Sequence, residues 1–212
     1  SLLLEKCESL TAIEIDKDLI RFLKKAYGDR KNFNLIEKDI LLYDPKELVR
    51  VNKLIGNIPY NISTPIIEWI IDNKSSFDEI FLMLQKEFGE RCVAQPNTKS
   101  YGRLSIFVQC FFDVTVIREV DKSSFTPSPK VQSIFLKLIP KVSDKTPNSI
   151  LMKNLSTLTR EAFSKRRKLI TNSLKSFFTE EDLVNLGIER KSRPENLSVE
   201  TYIKLAKSIQ SG

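Results

Sequence analysis

Lys53-Leu-Ile-Gly-Asn-Ile-Pro-Tyr-Asn-Ile-Ser-Thr-Pro-Ile-Ile-Glu-Trp-Ile-Ile71 decides how this chain folds. Its first six residues read as a β-strand, Lys53–Ile58. Pro59 fixes its own φ and holds Ile58 extended, so the strand cannot run on as a helix. Thr64 then reads as a helix cap with Pro65 in the first helical position, followed by Ile66, Ile67, Trp69, Ile70 and Ile71 as an apolar helix face. Strand, short polar turn and helix make one α/β step. Working outward, the same step recurs. Leu10–Asp16 is a strand closing on acids, and Asp18–Tyr27 places Leu19, Ile20, Phe22 and Leu23 at helical spacing. Phe33–Asp39 is a second strand ending in an acid. Glu79–Gln85 is a fourth strand, leading into a helix over Lys86–Ala94, and Leu104–Phe112 reads as a buried helix. Asp113–Val120 and Gln132–Ile139 are β-rich runs around a Pro-rich loop and are expected to pair antiparallel. This alternation predicts an α/β fold built on a mainly parallel sheet with helices on both faces.

After the polar segment Val142–Asn148 the β signal stops. Ile150–Phe163, Lys165–Phe178, Glu180–Leu186 and Ser198–Ser208 all have helical patterns, so residues 1–142 and 143–212 are expected to be an α/β domain and a small all-helical domain. The second half carries the charge. Lys and Arg number 34 against 27 Asp and Glu, a net +7, and residues 153–176 hold seven cationic side chains against the single acid Glu161. Six of the seven net charges therefore fall in one short segment, a footprint for a phosphate backbone.

Composition excludes several classes of chemistry. Histidine is absent, which rules out Ser-His-Asp and Cys-His nucleophiles and any imidazole-zinc site. The three cysteines, Cys7, Cys92 and Cys110, lack metal-ligand spacing and read as reduced residues of a cytoplasmic protein. No metal site and no membrane span are expected.

In an open α/β sheet, ligands bind beyond the carboxyl ends of the strands. Glu14 and Asp16 close the first strand, Asp39 the second and Asn57 the third. A carboxylate there suits the vicinal hydroxyls of a ribose, although Asp16, just before a helix, reads equally as its cap. Asn57-Ile58-Pro59-Tyr60 puts an amide, rigidly held backbone carbonyls and an aromatic face at one point. That set suits the exocyclic amine of a nucleobase. The Asn57 side chain and a backbone carbonyl accept its two N–H groups, while Tyr60 stacks on the extracted base.

Asn57-Ile58-Pro59-Tyr60 resembles the N-[LI]-P-Y motif of ribosomal RNA adenine N6,N6-dimethyltransferases, which use S-adenosylmethionine, and the likeness spans nearly the whole chain. Ala12–Asp16 is similar to the family's ribose-binding strand end. Lys38-Asp39-Ile40 is similar to its adenine-contacting stretch, and Met83–Ser105 to the strand-helix-loop that includes Y-G-R-L-S. Phe125–Val131 is similar to its F-x-P-x-P-K-V loop. Arg193–Val199 resembles R-P-E-x-L-S-V, which favours the small-subunit (kasugamycin-sensitivity) branch. The resemblance implies a Rossmann-like methyltransferase sheet with a C-terminal small all-helical domain. It implies Glu14, Ile15, Asp39, Ile40 and Asn57 at the cofactor, and Asn57, Ile58, Pro59, Tyr60 and Phe125 at the target adenine. The family places a strand and a Gly-rich loop ahead of the stretch that Ser1–Glu5 resembles. No such loop occurs in these 212 residues, and the expectation is that this part of the domain lies outside the sequence.

In the same frame, Lys165, Arg166, Arg167 and Lys168 are expected on a helix that fans them around its circumference, some toward the protein and others, with Lys99 and Arg103, toward RNA. The expected partner is small-subunit ribosomal RNA in an immature small ribosomal subunit, and the chain is expected to act as a monomer. Three other readings compete, one of them a helical-tailed nucleic-acid clamp without methyl transfer, which would leave Asn57–Tyr60 unexplained. A DNA amino-methyltransferase would carry a motif closer to N-P-P-Y. A ribosome-assembly RNA-binding factor with weak or lost catalysis would keep the basic segment alone.

Overall fold

A computed structural model of the chain describes residues 2–48, 51–125, 129–141 and 149–209. The expected linker Val142–Asn148 and the centre of the Pro-rich loop, Thr126–Ser128, lie outside the described residues. The chain forms two compact units, Ser1–Arg50 and Val51–Gly212.

The first unit is a short α/β motif. Helix α1 (Leu2–Lys6) precedes strand β1 (Leu10–Glu14), helix α2 (Lys17–Tyr27) and strand β2 (Phe33–Glu37). The two strands pair in parallel, Leu10 opposite Phe33 and Glu14 opposite Glu37. Asp16 starts α2 as its N-cap, accepting from the backbone N–H of Asp18 at 2.8 Å and Leu19 at 3.1 Å. Those bonds hold its carboxyl below the usual carboxylate range.

The second unit is built on a four-stranded sheet in the order β3 (Lys53–Asn57), β4 (Glu79–Gln85), β6 (Ser133–Pro140), β5 (Phe112–Val120). Its β3–β4 pair is parallel, whereas β6 runs antiparallel to both of its neighbours. The sheet is therefore mixed rather than mainly parallel. The reason is the connection: β5 returns into β6 through one loop, which forces antiparallel pairing, and β6 inserts between β4 and β5. Along β4, Ile80, Leu82 and Leu84 are buried and alternate with half-buried Phe81 and Met83, the period-2 signature of a strand with one fully covered face.

Helix α3 (Ser63–Asp72) begins one residue before the expected cap. Thr64 caps nothing, because the turn Tyr60–Ile62 runs straight into the helix and the buried Ser63 hydroxyl donates to the Tyr60 carbonyl at 3.1 Å. Helix α4 (Lys86–Val93) packs on the sheet through Gly89, and α5 (Arg103–Phe111) leads into β5. Beyond residue 148 come α6 (Ser149–Ser164), the single turn α7 (Ile170–Ser173), α8 (Glu180–Asn185) and α9 (Val199–Ser208). Thr179 and Asp182 form a reciprocal capping box at α8. Leu155, Leu158, Ala162, Ile170, Leu174, Leu183, Tyr202 and Leu205 form one core with Ala94, Tyr101 and Ile106. The late helices thus share their interior with α5 and the loop before it.

Candidate nucleotide and RNA sites

Within the first unit, Glu14 and Asp39 stand at the carboxyl ends of adjacent parallel strands. Glu14 Oε1 accepts from the backbone N–H of Ile15 at 2.8 Å and of Asp16 at 2.9 Å, so the carboxylate is oriented by its own turn. Lys38 N–H donates to the Glu14 carbonyl at 3.1 Å, tying the second strand end to the first. Asp39 caps a short 3₁₀ turn over Ile40–Leu42 with Oδ1 on Leu41 N–H at 2.9 Å. Each carboxylate thus has one oxygen anchored by backbone and a second without a described partner. Ile15 is 65% exposed, and Ile40 is half-buried. This donor set fits a nucleoside, with two acceptors for hydroxyl or amine hydrogens and two aliphatic surfaces for a ring.

Within the second unit, Asn57 ends β3 opposite Met83, and Ile58 N–H donates to the Met83 carbonyl at 3.1 Å, one step past the ladder. Pro59 follows at φ −56° and ψ 136°, and Ile62 N–H closes a turn on its carbonyl at 3.1 Å. The peptide between Ile58 and Pro59 has no N–H, so the Ile58 carbonyl is an acceptor without an adjacent donor. Asn57 is exposed and Tyr60 is 40% exposed. Phe125 is half-buried in the loop between β5 and β6, its N–H bonded to the Lys122 carbonyl at 3.3 Å. That loop enters β6 at Ser133, which pairs with Gln85 at the end of β4. Phe125 and Asn57–Tyr60 therefore belong to the same end of one sheet.

The basic segment departs from expectation. Lys165, Arg166, Arg167 and Lys168 lie in the turn after α6, not on a helix. The helix ends because Lys165 N–H shifts to the Ala162 carbonyl, Lys168 N–H closes a turn on the Lys165 carbonyl at 2.8 Å, and Leu169 is extended before α7. Lys165, Arg167 and Lys168 are exposed. Arg166 is turned inward: its guanidinium pairs with Glu195 and donates to the carbonyls of Lys99 at 2.8 Å and Thr98 at 3.1 Å. Asn97, Thr98, Lys99, Arg166, Arg167, Arg193 and Glu195 line a concave pocket of about 410 Å³. Arg103 is exposed at the start of α5 and does not line it.

Sequence reasoning missed Asn97 and Arg193 as pocket residues. Arg193 lies in the recognisable Arg193–Val199 stretch, but which surface it joins is fixed by long-range bonds: Asn97 N–H to the Glu195 carbonyl at 2.8 Å and Asn196 Nδ2 to Asn97 Oδ1 at 2.7 Å. Asn97 sits in the left-handed region at φ 68°, where asparagine is among the better tolerated side chains. Tyr101 and Tyr202 fasten the same stretch from inside, their buried hydroxyls donating to the Leu197 and Pro194 carbonyls at 2.9 Å each.

The family model described as ribosomal RNA adenine dimethylase matches residues 1–211. The chain is 40% identical to ribosomal RNA small subunit methyltransferase A of Buchnera aphidicola, over 95% of this chain and 75% of that protein. It is 39% identical to the protein of the same name from Legionella pneumophila, over 99% and 81%. A dimethyladenosine transferase from Plasmodium falciparum superposes with a TM-score of 0.81 at 31% identity, covering 96% of this chain and 82% of that one. The 23S rRNA methyltransferase ErmE superposes at 0.73 and 21% identity, which speaks to the Rossmann-like fold alone. The chain belongs to the ribosomal RNA adenine dimethylase family, enzymes that methylate adenine in ribosomal RNA.

Proposed function

We propose that this chain transfers two methyl groups to the N6 amine of an adenine in small-subunit ribosomal RNA, giving N6,N6-dimethyladenosine, with S-adenosylmethionine as donor. The observation that carries this reading is the end of β3: an exposed Asn57 locked in register beside Met83, followed by a proline-held carbonyl and an exposed tyrosine. An adenine amine is a poor nucleophile because its lone pair is delocalised into the ring. In the proposed geometry the Asn57 side-chain oxygen and the Ile58 carbonyl each accept one of its N–H bonds, which favours a pyramidal nitrogen with its lone pair available. Pro59 holds that carbonyl, and Tyr60 and Phe125 supply aromatic faces for the base, each worth about 1–3 kcal/mol of stacking. The donor supplies an electrophilic methyl on a sulfonium. With that methyl transferred as an electrophile, the amine nitrogen would lose its proton to water, so none of these residues would need to act as a general base. Glu14 and Asp39 are assigned to the donor's ribose hydroxyls and adenine amine, with Ile15 and Ile40 against its ring.

RNA is assigned to Lys99, Arg103, Lys165, Arg167 and Lys168, with Arg193 added by the pocket and Arg166 holding its floor. Residues 143–212 form the helical RNA-binding domain in this reading. The setting is an immature small ribosomal subunit in the cytoplasm, approached by a monomer. Among the described residues no helix is long and apolar enough to cross a membrane.

The test is methylation of small subunits that lack adenine methylation, read as N6,N6-dimethyladenosine by mass spectrometry of digested RNA. Asn57→Ala should abolish the product while the thermal transition stays in place. Wild-type turnover by Asn57→Ala would sink the assignment.

A further inference from the structure

Phe125 is carried by a loop, and a stacking residue on a loop is only as useful as the loop is fixed. The fixing comes from one side chain in the Met83–Ser105 stretch that the site assignments above leave without a role. Lys86, the first residue of α4, uses its backbone N–H to bond the Gln132 carbonyl at 2.9 Å. Its ammonium donates to Glu119 Oε2 at 2.7 Å and reaches Gln132 Oε1 at 3.5 Å. Glu119 lies on β5 just before the loop leaves the sheet, and Gln132 lies just before it re-enters as β6. Lys86 therefore grips both stems of the loop at once. Two residues beyond Glu119, the Asp121 carboxylate holds Ser123 N–H at 2.9 Å, and the turn over Lys122–Ser124 delivers Phe125. Lys86 itself follows Gln85 at the end of β4 and stands three residues beyond Met83, the partner of Asn57. Lys86 thus ties the end of β4, beside the strand that presents Asn57–Tyr60, to both stems of the loop whose first turn presents Phe125.

We infer that Lys86 is a positioning residue for methyl transfer, holding the Phe125 loop in register with the Asn57–Tyr60 strand end. The inference rests on the reading that Phe125 packs on the target adenine. Lys86 touches neither substrate nor donor in this scheme. It sets the distance between two groups that do, so its loss falls on the chemical step rather than on RNA capture, which this reading assigns to the basic segment after α6.

The experiment compares wild type, Lys86→Met, Lys86→Arg, Phe125→Ala and the Lys86→Met/Phe125→Ala double variant with S-adenosylmethionine and unmethylated small subunits. Lys86→Met keeps the aliphatic stem and should lower kcat by about tenfold, in line with the steep cost of small misplacements, with KM for subunits nearly unchanged. Lys86→Arg, whose fork can reach both Glu119 and Gln132, should restore most of the loss. In the Phe125→Ala background the same Lys86→Met change should have less than about a twofold further effect, because its target is gone. A wild-type kcat in Lys86→Met beside an impaired Phe125→Ala overturns the inference and leaves the reading of Phe125 standing. So does a tenfold effect that persists in the double variant, or one that appears in KM. A wild-type kcat in Phe125→Ala overturns the reading of Phe125 itself.

Discussion

Replacing Gly89 with alanine should destabilise the second unit, although a helix interior ordinarily welcomes that change. Alanine gains up to about 1 kcal/mol over glycine from helix propensity. Here a Cβ would overlap Ile134 Cγ2 outright and stand 3.5 Å from both Ile134 Cβ and Leu136 Cδ1. Neither neighbour has room to give, since Ile134 is 2% exposed, Leu136 is fully buried, and Ile134 is β-branched with a stiff χ1. Strand β6 cannot retreat, being hydrogen-bonded on both sides by β4 and β5. Restoring ordinary carbon–carbon separation requires α4 to lift by about 1 Å or more, and overpacking of this kind costs about 1–3 kcal/mol. Less the propensity gain, a net loss of about 1 kcal/mol corresponds to a fall of about 2–4 °C in Tm for a chain of this length. Gly102→Ala is the matched control: its Cβ would meet only the Phe163 ring at 3.9 Å, and its backbone is extended. Thermal denaturation followed by circular dichroism reads both. A Gly89→Ala variant as stable as wild type would refute the packing argument.

Charge reversal at Lys165 and Arg167 should weaken binding to small-subunit RNA and flatten the dependence of log affinity on log salt, by about 0.7–0.9 for each phosphate no longer neutralised. An unchanged slope in filter binding would remove the turn after α6 from the interface. Glu79 tests acid stability. Hydrogen bonds from Lys137 first and Lys53 second pull its carboxyl below the ordinary 4.5. Its contribution is therefore complete above about pH 4.5 and is lost as pH falls through its lowered folded value. Glu79→Gln should shallow the acid limb of urea-midpoint against pH while leaving the neutral limb parallel to wild type, and an unaltered acid limb would discount the ion pairs.

Much of this molecule is local in origin, and that part is legible in the sequence. The strand-helix steps, the antiparallel pairing of Phe112–Val120 with Ser133–Pro140 and the N-cap at Asp16 follow from periodicity and short-range hydrogen bonds. The family motifs point to Asn57–Tyr60 as a strand end, and the structure puts it there. What fails to show are features decided at long range. Lys165–Lys168 has a sound helical composition, yet Arg166 is drawn to Glu195 and to the carbonyls of Lys99 and Thr98, which lie 29, 67 and 68 residues distant along the chain. The mixed order of the sheet is equally hidden, because periodicity reports that a strand exists and not between which neighbours it inserts. Thr64 looks like a cap because the 3₁₀ turn over Tyr60–Ile62 leaves no trace in side-chain spacing.

The antiparallel pairing of β5 with β6 has a consequence for how such an enzyme can diversify. Val120 and Ser133 are directly opposite each other in the ladder, so the segment between them begins and ends at neighbouring points. Lengthening or shortening a loop whose ends are already together changes closure entropy only logarithmically, about 0.6 kcal/mol for each doubling. The strands beneath need not move. Residues 121–132 are thus a replaceable cartridge: under the proposed function, insertions there would reshape what surrounds the target base while β3 and β4 keep Asn57 in register with Met83.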